Sequence, residues 1–466
     1  MDKIKILKKK LKKHLWSDKQ EVINSYLYEQ RGNLNGKSQL LLKPKSTLDV
    51  SKIIKLCNQY KIAIIPQGGR TGLCGGTIPN KKGNEVLITT EKMNKIITVD
   101  KENFNIVVQS GCSLISIKNT AQKIERFFPI TLPSQETCTI GGNISTNAGG
   151  SSVLKYGMTK DLVLGLEVVM PNGSILNSIK EIKKDNRGFD PQSLHVGAEG
   201  TLGIITAAKL KLFPNIKNKV MAIVALKNVD NAIELLTIVK DLFFEHLSSF
   251  EINSNKGMAL IQKHFLNILI PFGNKYPWYV IFELSSNEKN TLDNKLDLIL
   301  EKALATKIII DAIKPQSIRQ YNNIWNTREL LSQAQKIDGP SIKHDISIPI
   351  KKISYFLKEA ELRLPNIPKK NFLAFGHLAD GNLHYNVSKP IDLSHSNFKK
   401  LQKHVNETIF DLVYDLGGSF SAEHGIGKIK INELKKYSSK EEFMLKRNLK
   451  KLIDPNNIMN PGKIFK

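Results

Sequence analysis

The sequence predicts an α+β protein of more than one domain, and three observations carry that expectation. The first half sets glycine- and hydroxyl-rich loops between short apolar runs of strand length. Beyond Pro214 the glycines thin out, and strand-length runs alternate with amphipathic runs of helix length. At 466 residues the chain is long enough for about two to three domains with a sizeable core.

In chain order, residues 3–16 read KIKILKKKLKKHLW, with Ile4, Leu7, Leu11 and Leu15 at helical spacing among lysines. Two readings stand for this segment: a helix lying on a membrane surface, or one packed on its own domain. Residues 48–60 predict an amphipathic helix capped by Thr47, and 62–65 a short buried strand. A glycine-rich loop follows, PQGGRTGLCGG at 66–76. Strands are expected at 86–89, 96–99 and 105–109, and a helix at 114–125. After the polar stretch 133–161 come a strand at 161–170, a turn at Pro171-Asn172-Gly173, and VGAEGTLGIIT at 196–206 leading into a strand that ends near Pro214. The second half predicts strands at 220–226, 278–284 and 308–312, helices at 231–244 and 290–306, and a turn-rich tail, DPNNIMNPGKIF, at 454–465.

Net charge is +26, which suits nucleic acid, an anionic membrane or an acidic substrate. Lysine is spread over nearly the whole chain, and no RNP, zinc-finger or helix-turn-helix pattern accompanies it, so nucleic acid is not the expected partner. Cys57, Cys74, Cys112 and Cys138 form no C-x-x-C pair, which argues against a zinc ribbon or redox dithiol. With no apolar run of membrane-spanning length and no secretory signal, a reduced cytoplasmic setting is the default expectation.

The stretch 133–161, PSQETCTIGGNISTNAGGSSVLKYGMTKD, is dense in Gly, Ser, Thr and Asn. Glycines let backbone approach a ligand, and short hydroxyls and amides supply hydrogen bonds, so the lining suits a large polar cofactor bearing phosphate. The loop at 66–76 has neither the G-x-G-x-x-G nor the G-x-x-x-x-G-K-[ST] spacing. Its consecutive glycine N–H groups still form an anion-binding nest, to which Arg70 and Thr71 add donors.

These two loops, with GAEGTLG at 197–203, resemble the flavin-binding domain of the vanillyl-alcohol oxidase and p-cresol methylhydroxylase superfamily from about residue 37 to 214. The resemblance implies FAD. Its pyrophosphate would lie on Pro66, Gly68, Gly69, Arg70, Thr71, Gly72 and Gly75. Its ribityl and isoalloxazine parts would lie on Pro133, Ser134, Thr137, Gly141, Gly142, Ser145, Asn147, Gly149, Gly150, Gly200, Gly203 and Ile204. Some relatives attach the flavin through a His in the first loop; 66–76 holds none, so non-covalent FAD is expected.

In FGHLADGNLHYNV, 375–387, Asp380-Gly381 is a two-residue hairpin signal. A turn centred there sets His377 opposite His384, and Phe375 opposite Asn386 on the same face. Two imidazoles so placed suit zinc or another divalent metal completed by a carboxylate; the plain alternative is two solvated histidines. In SAEHGIGKIK, 421–430, the adjacent Glu423 and His424 offer one ligand and one base, a weak signal alone.

G-H-x-x-D-G-N-x-H, E-H-G-I-G and the D-P-x-x-x-x-N-P-G-K tail together resemble the FAD-linked D-2-hydroxyacid dehydrogenases. That group includes cytochrome-type D-lactate dehydrogenase, the glycolate oxidase FAD subunit and D-2-hydroxyglutarate dehydrogenase. Outside a basic N-terminal helical segment at 1–36, the resemblance implies a p-cresol methylhydroxylase-type FAD domain at 37–215 and a substrate domain with an antiparallel sheet at 216–466, its last ~45 residues returning toward the FAD domain. It also implies His377, His384 and Glu423 as metal ligands, His424 as base, and Arg328 (in WNTRE), Lys343 and Asn386 as substrate-binding groups. The expected reaction is oxidation of D-2-hydroxyglutarate or D-lactate to the 2-keto acid. Electrons would leave to an electron-transfer flavoprotein, a quinone or a cytochrome, since no Rossmann fingerprint is present for NAD. A glycolate oxidase-like activity and a flavin reductase on the same FAD domain are the alternatives. Homodimer formation and peripheral contact with the inner membrane stay open.

Overall fold

The computed structural model describes residues 3–29, 34–182 and 184–466. Within the expected basic segment 1–36, residues 1, 2 and 30–33 therefore lie outside the described residues. The chain forms two compact units. The first gathers Met1–Gly150, Tyr156–Asn215 and Glu423–Lys466; the second gathers Ser151–Lys155 and Ile216–Ala422.

The first unit is built on two main sheets. Ile64–Gln67, Val86–Thr89 and Leu41–Leu42 pair in parallel, with Trp16–Ser17 added antiparallel at the edge. A five-stranded antiparallel sheet runs in the order Ile96–Asp100, Asn105–Gln109, Ile204–Lys211, Val163–Val169, Ile175–Asn177. The N-terminal helix Lys3–Lys10 resolves the choice left open by its pattern. Ile4, Leu7, Leu11 and Leu15 are buried in one cluster with Val50, Ile54, Ile64 and Val86, so the apolar stripe faces the protein's own core and not a membrane. Each such side chain gains about 1.5–3 kcal/mol on burial.

Helix Thr47–Gln59 starts as expected, but Ser46 is the cap, accepting from Asp49 N, while the Thr47 hydroxyl donates to Glu167. The stretch 133–161 is not continuous loop. It contains the short helices Ile140–Ser145, Val153–Tyr156 and Thr159–Leu162, the last displacing the start of the expected strand to Val163.

The second unit is a seven-stranded, wholly antiparallel sheet in the order Asp311–Ile313, Asn218–Leu226, Trp278–Ser286, Leu247–Ser254, Phe372–His377, Asn382–Ser388, Ser341–Ser347. Side chains alternate across the pleat, so register assigns each to a face. On one face Ile223, Ala225, Tyr279 and Ile281 pack against Met258 and Ile324 from helices Asn255–His264 and Ile318–Glu329. Ser151–Lys155 belongs here through Lys155 Nζ, which donates to Ser285 O at 2.8 Å and Ser285 Oγ at 3.0 Å. No helix among the described residues is long and apolar enough to cross a membrane.

Candidate active site

In the first unit, strand Ile64–Gln67 delivers the chain into the 68–76 loop, whose backbone runs against the segment opening helix Ile140–Ser145. A Cβ on Gly68 would lie 2.3 Å from Thr139 Oγ1, and one on Gly69 only 2.0 Å from Thr137 O, so the approach requires glycine at both positions. Among the described residues, the backbone N–H groups of Gly68, Gly69, Arg70, Thr71 and Gly72 make no hydrogen bond to protein. Beside them the hydroxyls of Thr139 and Ser110 are buried without a partner. Buried unpaired hydroxyls are costly unless a ligand satisfies them, and together with the partly exposed, unpaired loop N–H groups they match the oxygens of a pyrophosphate. The residues present therefore fit FAD.

The other two walls are tied to this one. Gly197 N donates to Ile144 O at 3.0 Å and Glu199 N to Ser145 O at 2.8 Å. Gly200, at φ +71°, has its open side 2.9 Å from Pro66 Cγ, and Gly203-Ile204 leads into strand Ile204–Lys211. Pro133, Ser134 and Thr137 lie in a tight turn in which Ser134 O accepts from Thr137 N at 2.9 Å. Gly141 and Gly142 sit in helix Ile140–Ser145 itself. Asn147, at φ +48°, accepts from Lys160 N through Oδ1 at 2.9 Å and leads to Gly149 and Gly150. Gly75, also at positive φ, ends the first loop. The Arg70 side chain departs from its expected use as a phosphate donor. Its guanidinium pairs with Glu91 and lies 4.2 Å from the Tyr26 ring centroid, so Arg70 serves the loop through its backbone at φ +58°.

The segment carrying Glu423 and His424 is anchored to the same cradle. Glu423 Oε1 accepts from Gly150 N at 2.9 Å. Glu199 accepts from Ile426 N at 2.7 Å through Oε1 and from Gly427 N at 2.8 Å through Oε2. Burial pushes the Glu199 carboxyl above its ordinary range, against the pull of these two donors. The tail joins in through Asn460 Nδ2, which donates to Gly76 O at 3.0 Å and Glu199 O at 2.7 Å. His424 is half-buried.

In the second unit, the hairpin differs from its expected two-residue turn. Leu378–Asp380 form a turn of 3₁₀ helix, Gly381 adopts φ +80°, and pairing begins with Phe375 opposite His384. His377 pairs with Glu251 of the neighbouring strand, and Asn386 with Leu373. The register is shifted by two residues, which preserves the face of every side chain. The rings of His377 and His384 still share one face, with centroids 6.4 Å apart.

That face also carries Asp345, paired with His384, and Lys343, paired with Asn386. Helix Ile318–Glu329 adds Arg328, whose Nε donates to Glu251 Oε2 at 2.7 Å. All five substrate- and metal-binding candidates of this unit thus lie on one sheet face. Glu251, 2% exposed, was not singled out from the sequence; its other oxygen meets His377 Nδ1. Burial alone pushes the Glu251 carboxyl up, but His377 and Arg328 outweigh it and hold it down at about 2. Asp345, also missed, accepts from Asn382 Nδ2 at 3.0 Å and lies 4.0 Å from His384 Nδ1. Asn386 is engaged at both ends, by His344 N at 3.1 Å and Gln335 Oε1 at 2.8 Å. Imidazole nitrogens with carboxylate oxygens on one face are a donor set suited to zinc.

Comparison with known proteins agrees with this geometry. The family described as FAD linked oxidases, C-terminal domain, matches residues 216–464, and an FAD binding domain matches residues 38–178. The mitochondrial D-2-hydroxyglutarate dehydrogenase of Arabidopsis thaliana is 34% identical, the match spanning 92% of this chain and 75% of that protein. The D-2-hydroxyglutarate–pyruvate transhydrogenase of Saccharomyces cerevisiae is 31% identical over 95% of this chain and 91% of its own. Among solved structures, p-cresol methylhydroxylase superposes with a TM-score of 0.77 at 16% identity, covering 99% of this chain and 96% of its own, a likeness of fold.

Proposed function

Because this chain belongs to the FAD-linked oxidase family, we propose that it oxidises a D-2-hydroxy acid to the 2-keto acid, with D-2-hydroxyglutarate as first substrate and D-lactate as second. The observation that carries the reading is the single sheet face bearing Arg328, Lys343, Asn386, His377 and His384. A planar guanidinium matches a carboxylate, and a nearby ammonium serves a further oxygen or second carboxylate. The named activities of the similar Arabidopsis and yeast proteins support a hydroxy acid of this class.

In this reading Arg328 and Lys343 orient the substrate. His377, His384 and Glu423 would hold one divalent metal, zinc foremost, whose chemistry there would be Lewis-acid polarisation of the 2-hydroxyl. His424 takes the hydroxyl proton on a ring nitrogen. The glycine-rich loops of the first unit would hold FAD without a covalent bond, and its chemistry there would be acceptance of the C2 hydride. Asn386 acts through the backbone and amide it already binds, bracing Lys343 opposite it. An electron-transfer flavoprotein, quinone or cytochrome reoxidises the flavin. Four buried cysteines in no disulfide suit a reducing compartment such as the cytoplasm.

The test is a panel of D- and L-2-hydroxy acids with an artificial electron acceptor. D-2-Hydroxyglutarate should give the highest kcat/KM. Flavin-loaded protein that turns over no D-acid, or prefers the L-enantiomers, overturns the proposal.

A further inference from the structure

We propose that Glu251 is the positioning residue of the substrate-binding face, one carboxylate that fixes both the coordinating nitrogen of His377 and the outward aim of the Arg328 fork. The proposal rests on the roles given above to His377 and Arg328. Glu251 is itself held firmly: it is 2% exposed, sits in the middle of strand Leu247–Ser254, and pairs in register with Ile281 on one side and His377 on the other. Ser249 Oγ donates to its Oε1 at 3.3 Å.

An ionised carboxylate only accepts, so the His377 nitrogen facing it carries the proton. Nδ1 faces Glu251, which leaves the Nε2 lone pair as the one for coordination. The second oxygen engages Arg328 at Nε alone. Among the described residues, Arg328 Nη1 and Nη2 make no hydrogen bond to protein. The guanidinium Cζ also lies 5.0 Å from the Phe375 ring centroid. A planar group held at Nε and set over a ring has the direction of its two-nitrogen edge fixed, and that edge binds a carboxylate with two parallel hydrogen bonds. Glu251 thus sets the spacing between the metal ligand and the substrate clamp.

The experiment uses the full, FAD-loaded chain and the variants Glu251→Gln, Arg328→Lys and their combination. Zinc affinity is read by competition with a chelator, KM and kcat with the preferred D-2-hydroxy acid, and folding by flavin content. Glu251→Gln should weaken zinc by ~10–100-fold, the usual effect of losing a carboxylate behind a ligand histidine. It should also raise KM roughly tenfold, the scale of one charge-assisted hydrogen bond. Arg328→Lys should raise KM without moving zinc affinity, and the double variant should raise KM by less than the product of the two. A folded Glu251→Gln protein with unchanged zinc affinity and unchanged KM overturns the proposal, as does strict multiplication in the double variant. Should Glu251→Gln not fold, Glu251→Asp, which keeps the charge but shortens the reach, is judged by the same readouts. Wild-type protein that binds no zinc overturns the metal reading of His377, and Glu251 is then judged on KM and its coupling to Arg328.

Discussion

Replacing Glu199 with alanine should loosen the segment that carries His424 while leaving the flavin loops folded. The carboxylate accepts from Ile426 N at 2.7 Å and Gly427 N at 2.8 Å, and His424 is two residues from the first of these. Hydrogen bonds to a charged group contribute about 1.5–3 kcal/mol each. The desolvation that pushes the Glu199 carboxyl up offsets part of this gain, and we expect ~2–4 kcal/mol for alanine and about half that for Glu199→Gln, which keeps one acceptor. In amide exchange this is a roughly 30- to 1,000-fold faster opening at Ile426 and Gly427 in the alanine variant. A shift of ~1 Å at His424 should also lower kcat by about 10²-fold. The assay is hydrogen–deuterium exchange of the 423–427 amides beside steady-state turnover, on protein checked for full flavin content. Unaltered exchange and unaltered kcat in Glu199→Ala would refute the anchoring argument.

Three further outcomes follow from the first unit. Gly69→Ala would set a methyl 2.0 Å from Thr137 O, so the protein should lose its flavin absorbance; a variant with full FAD occupancy would show that the two loops separate freely. His195 is 3% exposed, and burial depresses its pKa to about 4 from 6.5. Its folded pKa is below the unfolded one, so its contribution is complete above pH 6.5 and is lost as pH falls toward 4; denaturation at pH 6.5 and 5 should show about 2 kcal/mol more loss in wild type than in His195→Gln, and equal losses would contradict this. Leu7→Ala should cost ~2–5 kcal/mol, as for a fully buried leucine, and a loss under ~0.5 kcal/mol would place the N-terminal helix off the core.

The α+β class and the flavin-domain kinship were legible because they rest on local signals. Glycines that must be glycine, as at Gly68 and Gly69, leave a mark in sequence that no packing detail alters. The strand Val86–Thr89 matched its apolar run residue for residue. The misses have nonlocal causes. Strand Leu247–Ser254 reads LSSFEINS, a run rich in polar residues, yet all but Ser254 are buried. Its Ser248 and Glu251 are satisfied by partners 35 and 77 residues away. The hairpin register failed because Asp380-Gly381 sits at the end of a 3₁₀ turn, which adds residues to the loop that an Asp-Gly pair does not announce. The lysine-rich N terminus read equally as membrane-seeking or core-packing, since amphipathic spacing records that a face is covered and not by what.

Two of the missed carboxylates, Glu199 and Glu251, obey the same physics. Glu199 sits in a glycine-rich loop and Glu251 in a strand, and in neither setting does the residue type mark a role. Each becomes informative only when its partners are known: two backbone N–H groups from a distant segment for Glu199, and a histidine and an arginine for Glu251. A carboxylate carries two oxygens at a fixed separation, so one that bridges two groups fixes the distance between them as well as the orientation of each. An amide isostere keeps the shape but turns one acceptor into a donor, which faces another donor at either site. Substitution by Gln should therefore injure function more than its small change in volume suggests, and substitution by Asp should injure it by displacement with charge retained. A site in which Gln and Asp at position 251 behaved alike would be one where Glu251 supplies only bulk.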